Sequence, residues 1–470
     1  MSMGLVGFRV VVMGRAVVVG AGFSGVLAAR ELLRVGWSVV LIDPGARPGR
    51  GLAYGTSAPW HLLNSPVSAM SVEPDLPDDF LHWCRRWDAR VEPTDFVPRS
   101  WYGEYLTDAL LGADTIAPGE LIVHRGRVVR IFATSPTTNT VLLADDVVIS
   151  ADIAVLAVGN SQPDERFQVD PGARGTQAYV RDPWAPGALE SLPEGKVLLI
   201  GTGLTAIDVV LTLAQSGRHP HITAVSRHGL LPEPHRPTQK ITLEAPQSTS
   251  LAGLMRAIRT KVKETGDWRA VMDGLRPHWN AMWQRLAPVD QQRFLRHLAR
   301  HWEVHRHRMA PPIAAAVGGL RDDGVLSIKT AELCGITAEP SGSLRAVLKS
   351  SKIDSGEYQA IVNCTGPGQL IKADPLVRSL VADGLAQPGP YGLGLDVDEH
   401  GALRGRSQRP PSIYTLGPPR RGHLWETTAA PEIRAQARAL AIHLIPPTSA
   451  SRDLGALGSC RADSAYPLPG

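Results

Sequence analysis

Three glycines near the start of the chain carry its first chemistry. In "AVVVGAGFSGVLAARELLRVGWSVVLIDP" (residues 16–44), Gly20, Gly22 and Gly25 follow an apolar run in the spacing GxGxxG, with Phe23 and Ser24 between them and Asp43 ending a second apolar run. Glycines so placed tighten a turn, let backbone N–H groups at a helix N-terminus approach a diphosphate, and let helix pack closely on strand. A carboxylate closing the second strand receives ribose hydroxyls. A lone GxGxxG is weak; strand, glycines, helix, strand and acid in that order predict a dinucleotide site.

The pattern recurs in "KVLLIGTGLTAIDVVLTLAQSGRHPHITAVSR" (residues 196–227), where Gly201, Gly203 and Ala206 form the fingerprint and Leu204 and Thr205 open the helix. Here the second strand ends in Ser226-Arg227-His228. The carboxylate that repels a 2′-phosphate is gone and a guanidinium stands in its place, so NADPH is favoured and NADH stays possible. A plain surface arginine is the competing reading.

Two such units require elements to position them. The stretches "ADIAVLAVGN" (151–160) and "YQAIVNCTGPG" (358–368) each read as a strand followed by a glycine turn, at Gly159 and Gly366, and they bracket the second unit. The expected fold is α/β: two Rossmann-type dinucleotide-binding domains, the second inserted into the first. FAD takes the first unit and the nicotinamide the second. The chain divides into 13–165 and 356–445 for the FAD domain, 166–355 for the NAD(P)H domain with a helical insert over 248–307, and a Pro/Ser/Ala-rich tail, 446–470, expected to be disordered. Met13 is the expected start of the organised chain.

Composition removes other classes. The chain has 470 residues, 43 % of them hydrophobic, and a net charge of +4, with no basic tract that would grip nucleic acid. Its apolar runs fall short of a bilayer span. The four cysteines are scattered, which excludes a CxxC pair or zinc spacing and suits a reducing cytoplasm. His297, His301 and His305 recur every fourth residue on one expected helix, with no carboxylate or cysteine to complete a site, so no metal is expected.

The chain resembles the bacterial FAD/NAD(P)-binding flavin monooxygenases that include an FAD-dependent urate hydroxylase and an aspartate N-hydroxylase. Besides the two fingerprints, "GRGLAYGT" (49–56), "HLLNSPVSAMSV" (61–72), "FVPRSWYGEYL" (96–106), "WEVHRHRMAP" (302–311) and "GHLWETTAAPEIRAQA" (422–437) carry the resemblance. It implies a cofactor role for His61, and either a cofactor role or the ordering of a helix start for Arg99 and Tyr102. Asn64 either bonds flavin or substrate or satisfies its own loop, and Arg306 and Arg308 either bind an anionic substrate or cofactor phosphate or form salt bridges. "IYTLGPPRRG" places Pro418 after Gly417, where commoner flavoproteins have Gly-Asp; Thr427 or Thr428 is expected to cap a helix beginning near Pro431, its dipole facing the reduced flavin.

The implied activity is monooxygenation: NADPH reduces FAD, and one atom of O2 passes to a small nitrogen-containing substrate. Urate is slightly favoured, amino-acid N-hydroxylation is the alternative, and an NAD(P)H dehydrogenase without oxygen transfer or a nucleotide-binding regulator are the rivals.

Overall fold

The computed structural model describes residues 13–115, 117–135, 137–349, 356–406 and 412–445. The tail expected to be disordered and the dozen residues before Met13 lie outside them.

The first apolar runs become the parallel strands Arg15–Val19 and Ser38–Asp43, almost wholly buried because helices cover one face and an antiparallel meander the other. They lie in a five-stranded parallel sheet in the order Ile413–Thr415, Ile153–Leu156, Arg15–Val19, Ser38–Asp43, Leu121–Arg125. Ala16 faces Val39 on one side, and Val17 faces Ala154 on the other. Helix Phe23–Arg34 fills one face, its Leu27 and Leu32 packed with Leu106 of helix Arg99–Asp114 and Leu440 of helix Ala430–His443. An antiparallel meander (Val128–Ser135, Thr138–Leu143, Val148–Ala151) covers the other.

The second sheet is also five-stranded and parallel, in the order Leu326–Thr330, Ile222–Ser226, Val197–Ile200, Ala360–Asn363, Tyr179–Val180. One expectation changes here. The sequence places residues 356–365 in the returning FAD domain, yet Val197 pairs with Ala360 and Ile200 with Asn363, so this strand completes the second sheet. The passage between domains follows it, and the two connections run side by side: the Gly368 N–H donates to the Gln162 carbonyl (3.0 Å) and the Ser161 hydroxyl to that of Gly368 (2.8 Å). Gly159 and Gly366, at φ +68° and +81°, supply the turns.

The helical insert is five α-helices, Leu251–Thr265, Trp268–Gly274, Trp279–Arg285, Pro288–His297 and Ala299–Arg306, with a 3-10 turn at Arg276–His278. Its core of Trp279, Trp283 and Phe294 also takes in Trp425 from the C-terminal part of the first domain. The Trp283 indole N–H donates to the Gly422 carbonyl at 2.9 Å. The single helix expected to carry His297, His301 and His305 is broken at Leu298, which separates His297 from the other two.

Candidate functional site

At the first fingerprint, Gly20 has φ +99°, and a Cβ there would lie 2.5 Å from the Ala157 carbonyl oxygen. A Cβ on Gly25 would fall 1.7 Å from the Gly20 carbonyl oxygen, so this glycine permits the helix to touch the strand. Gly22 differs: a Cβ there meets only the Gly51 Cα, at 3.5 Å. Gly22 is the N-cap of helix Phe23–Arg34 and no side chain caps that helix. Its first-turn N–H groups and the positive end of its dipole are thus available to an anion. Phe23 packs edge-on to Tyr54, and Ser24 is buried beside the turn.

Two neighbours brace this turn. Asp43 accepts the N–H groups of Ala21 (2.7 Å) and Gly45 (2.6 Å), one on each carboxylate oxygen, which leaves further lone pairs for ribose hydroxyls. The loop at 49–55 donates the Gly49 N–H to the Ala21 carbonyl (2.8 Å) and brings Gly51 against Gly22 so closely that a Cβ on Gly51 would stand 2.8 Å from the Gly22 Cα. This bracing role was missed in the sequence, although three glycines in seven residues signalled it.

The C-terminal strand reaches the same place. The Gly417 N–H donates to Gln436 Oε1 (2.8 Å), its carbonyl accepts from the Thr427 hydroxyl (2.8 Å), and a Cβ on it would lie 2.7 Å from Ser24 Oγ. Thr427 also accepts from Gln436 Nε2 at 2.9 Å and is wholly buried. It therefore ties down the Gly417 turn and does not cap a helix. Thr428 does not cap it either: helix Ala430–His443 starts one residue before Pro431, with Ala429 as N-cap and no capping side chain.

The second fingerprint repeats the geometry. Gly201 has φ +118° and a Cβ there would meet the Cys364 carbonyl oxygen at 2.4 Å, whereas Gly203, N-cap of helix Leu204–Ser216, has nothing within 4 Å and no capping side chain. Leu204 and Thr205 form the open first turn. Ser226 serves the protein: its hydroxyl accepts the Gly229 N–H (3.0 Å) and bonds the Thr202 hydroxyl (2.9 Å). Arg227 is exposed and has no ion pair among the described residues.

His61 and Arg99 are spent between the domains. Arg99 donates two hydrogen bonds to the Asp208 carboxylate (2.6 and 3.1 Å) and one to the Leu62 carbonyl (2.9 Å). His61 bonds Thr56 Oγ1 through Nδ1 (2.8 Å) and Thr212 Oγ1 through Nε2 (3.0 Å), with the Asp208 carbonyl 3.2 Å away. Asp208 and Thr212 belong to the second domain's helix Leu204–Ser216, so this clasp joins the two five-stranded domains. Burial holds the His61 pKa below its ordinary value, against the opposing pull of Asp208. Asp208 was missed; a lone acid inside the apolar run "LTAIDVVLTLA" was its signal. Tyr102 is fully buried and donates to the Met70 carbonyl at 2.8 Å. Asn64 gives its backbone carbonyl to His235 Nε2 (3.0 Å), while its half-buried side chain has no hydrogen bond among the described residues.

Arg306 and Arg308 are not free cations. Arg308 is 3 % exposed, clamps Asp273 with two hydrogen bonds (3.0 and 2.6 Å) and donates Nε to the His305 carbonyl. Arg306 donates Nε to Glu426 Oε2 (3.1 Å) and lies 3.7 Å from Glu432, which Arg276 holds by two bonds of 2.7 and 2.8 Å. Trp302 donates its indole N–H to the other Glu426 oxygen at 3.0 Å. Buried guanidinium groups require such partners. Burial works to raise the Glu432 pKa, but its bonds to Arg276 win and leave it below the ordinary value. Anion binding by free Arg306 and Arg308, one of the two expectations, gives way to salt bridges.

Residues 17–161 match the FAD-NAD(P)-binding family model. No curated protein matches the chain in sequence. Among solved structures, the fold is similar to that of the ornithine hydroxylase PvdA from Pseudomonas aeruginosa (15 % identity, TM-score 0.63, covering 92 % of this chain and 98 % of that one). It is also similar to DfoA, the cadaverine monooxygenase of desferrioxamine biosynthesis from Erwinia amylovora (13 %, TM-score 0.61, 97 % and 98 %), and to the Kutzneria sp. 744 ornithine N-hydroxylase KtzI (14 %, TM-score 0.59, 91 % and 98 %). These likenesses establish the two-domain α/β fold. Among the described residues no helix is long and apolar enough to cross a membrane.

Proposed function

We propose that the protein is an FAD-dependent, NADPH-consuming monooxygenase that hydroxylates the nitrogen of a small amine. The observation that carries the choice of substrate is the pairing of Arg306 and Arg308 with Glu426 and Asp273, which leaves neither of these arginines free to fix an anionic ring such as urate. The similar folds of the ornithine and cadaverine enzymes support the same choice. Urate hydroxylation, slightly favoured by sequence alone, becomes the second reading.

When bound, FAD would take hydride from the nicotinamide and activate O2. The chain's own part is placement. Gly22 and the uncapped turn after it hold the diphosphate, Asp43 the ribose, and the Gly49–Gly51 loop walls the turn. Gly203 and the first turn of Leu204–Ser216 hold the second diphosphate, with Arg227 free to meet a 2′-phosphate. The Asn64 amide, half-buried and without a hydrogen bond among the described residues, could orient a substrate amine. That amine must be neutral to act as nucleophile, so a Lys-like group, with ordinary pKa about 10.4, has to lose a proton on binding.

The test is NADPH oxidation by the FAD-loaded protein with ornithine, lysine, cadaverine, aspartate and urate, products being identified by mass. One amine should both accelerate oxidation and gain one oxygen atom. A urate product with no amine product would replace this reading by the second. Rapid turnover with an artificial electron acceptor and no oxygenated product would make the protein a dehydrogenase.

A further inference from the structure

The helical insert, together with Trp425, lines a half-open cavity of about 250 Å³ whose lining is almost wholly apolar and includes Trp279, Trp283, Trp302, Met255 and Ile258. It is larger than the engineered cavity of about 150 Å³ that takes benzene. The indoles are rigidly set: Trp279 and Trp302 meet edge to face with centroids 4.2 Å apart, and Trp283 and Trp425 at 5.1 Å. The indole N–H groups of Trp279 and Trp425 are buried without a hydrogen-bond partner, uncommon for this donor inside a protein.

A second, wider depression of about 830 Å³ adjoins it and shares Leu251, Met255 and Leu298 as wall. Its lining includes Arg256, Arg259 and Lys263, all exposed and without a carboxylate partner among the described residues. The spacing of three and four residues sets these cations on one face of helix Leu251–Thr265. Met255, Ile258 and Val262, spaced the same way one residue earlier, line the apolar cavity. One helix therefore presents an apolar stripe to the cavity and a basic stripe to the cleft beside it. Asp290, the carboxylate of the cleft lining, is already held by Arg293 (3.0 Å) and by the Leu251 N–H (3.0 Å).

We infer that the insert binds a small amphiphilic anion, with an apolar body larger than a benzene ring in the tryptophan-lined cavity and a carboxylate, sulfonate or phosphate head on Arg256, Arg259 and Lys263. The cavity selects the body by exclusion of water and the basic stripe selects the charge. A neutral hydrocarbon makes no use of the stripe, and a compact polar anion makes no use of the cavity. This site goes beyond the flavin chemistry and needs none of it for binding.

Calorimetric titration of the full-length, FAD-loaded protein with 2-naphthoate and with its neutral counterpart 2-naphthalenemethanol tests the inference. Naphthoate should bind one to one and at least tenfold more tightly than the alcohol. The triple variant Arg256→Gln, Arg259→Gln, Lys263→Gln, confined to an exposed face, should erase that preference while alcohol binding survives. Val262→Trp, which fills the cavity, should weaken both at least tenfold with the melting temperature as a check on folding. Equal binding of the two probes to the wild type, absence of binding, or naphthoate binding that survives the triple variant unchanged would each overturn the inference, whatever becomes of Val262→Trp. Self-association that excludes naphthoate would assign the cavity to a second copy of the chain and overturn it too.

Discussion

Substituting alanine at Gly22 and at Gly25 separates cofactor binding from folding. The methyl of Gly25→Ala would stand 1.7 Å from the Gly20 carbonyl oxygen and 2.8 Å from its carbon, both backbone atoms that cannot rotate away. Helix and strand must part, at a cost of about 3 kcal/mol, the upper end for overpacked sites. The methyl of Gly22→Ala meets only the Gly51 Cα at 3.5 Å, and the residue's φ of −72° and ψ of −165° suit alanine. Its effect on the flavin-free protein should stay within about 1 kcal/mol, the difference between glycine and alanine at an N-cap. That same methyl occupies the approach of a diphosphate to the helix N-terminus, so FAD affinity should drop at least tenfold, or about 1.4 kcal/mol. Thermal unfolding of the flavin-stripped variants gives the first quantity, and quenching of FAD fluorescence on titration gives the second. A Gly22→Ala protein that retains wild-type FAD affinity, or that is as destabilised as Gly25→Ala, refutes the assignment of this turn.

Asp208→Asn leaves the Arg99 guanidinium buried opposite a neutral amide and should cost about 3 kcal/mol by denaturant unfolding, part of which the double variant with Arg99→Met recovers. His61 is held neutral by burial, so it titrates below its unfolded value of about 6.5. Its contribution is intact above that value and is lost as pH falls through it, because only the unfolded chain then takes up the proton. Melting temperatures measured from pH 7.5 down to 5 should decline, and His61→Gln should flatten the decline; His235 and His307, shifted the same way by burial, keep it from vanishing. Arg227→Ala should reduce the preference for NADPH over NADH in flavin reduction up to about fivefold, the modest size reflecting its exposure. Stopped-flow reduction with the two coenzymes measures it, and an unchanged preference removes Arg227 from the site.

Much of the fold was legible because both nucleotide units announce themselves locally: an apolar run, glycines at fixed spacing and an amphipathic helix all lie within some thirty residues. The strand Ala360–Asn363 was read correctly as a strand but given to the wrong domain, since an apolar run buried on both faces does not say which sheet it joins. The side chains joining distant segments were the least legible. Arg99 meets Asp208 across 109 positions and Arg306 meets Glu426 across 120, and no periodicity encodes such pairs. Arg306 and Arg308 illustrate the cost: charge and motif suggested ligand binding, and burial alone decided that they needed carboxylate partners. The threonines failed differently, because Thr427 was expected at a helix end while Gly417 and Gln436 offered it a buried network.

The interleaving of the domains has a consequence for synthesis. Strand Ile153–Leu156 is completed on its outer edge by Ile413–Thr415, and the Thr415 hydroxyl donates to the Leu156 carbonyl from 259 positions away. At about 5 to 20 residues per second, a ribosome needs roughly 10 to 50 s to supply that second strand. Throughout that interval a wholly apolar strand edge waits unpaired beside the Gly20–Gly25 turn, and it is there that a chaperone would have to shield the nascent chain.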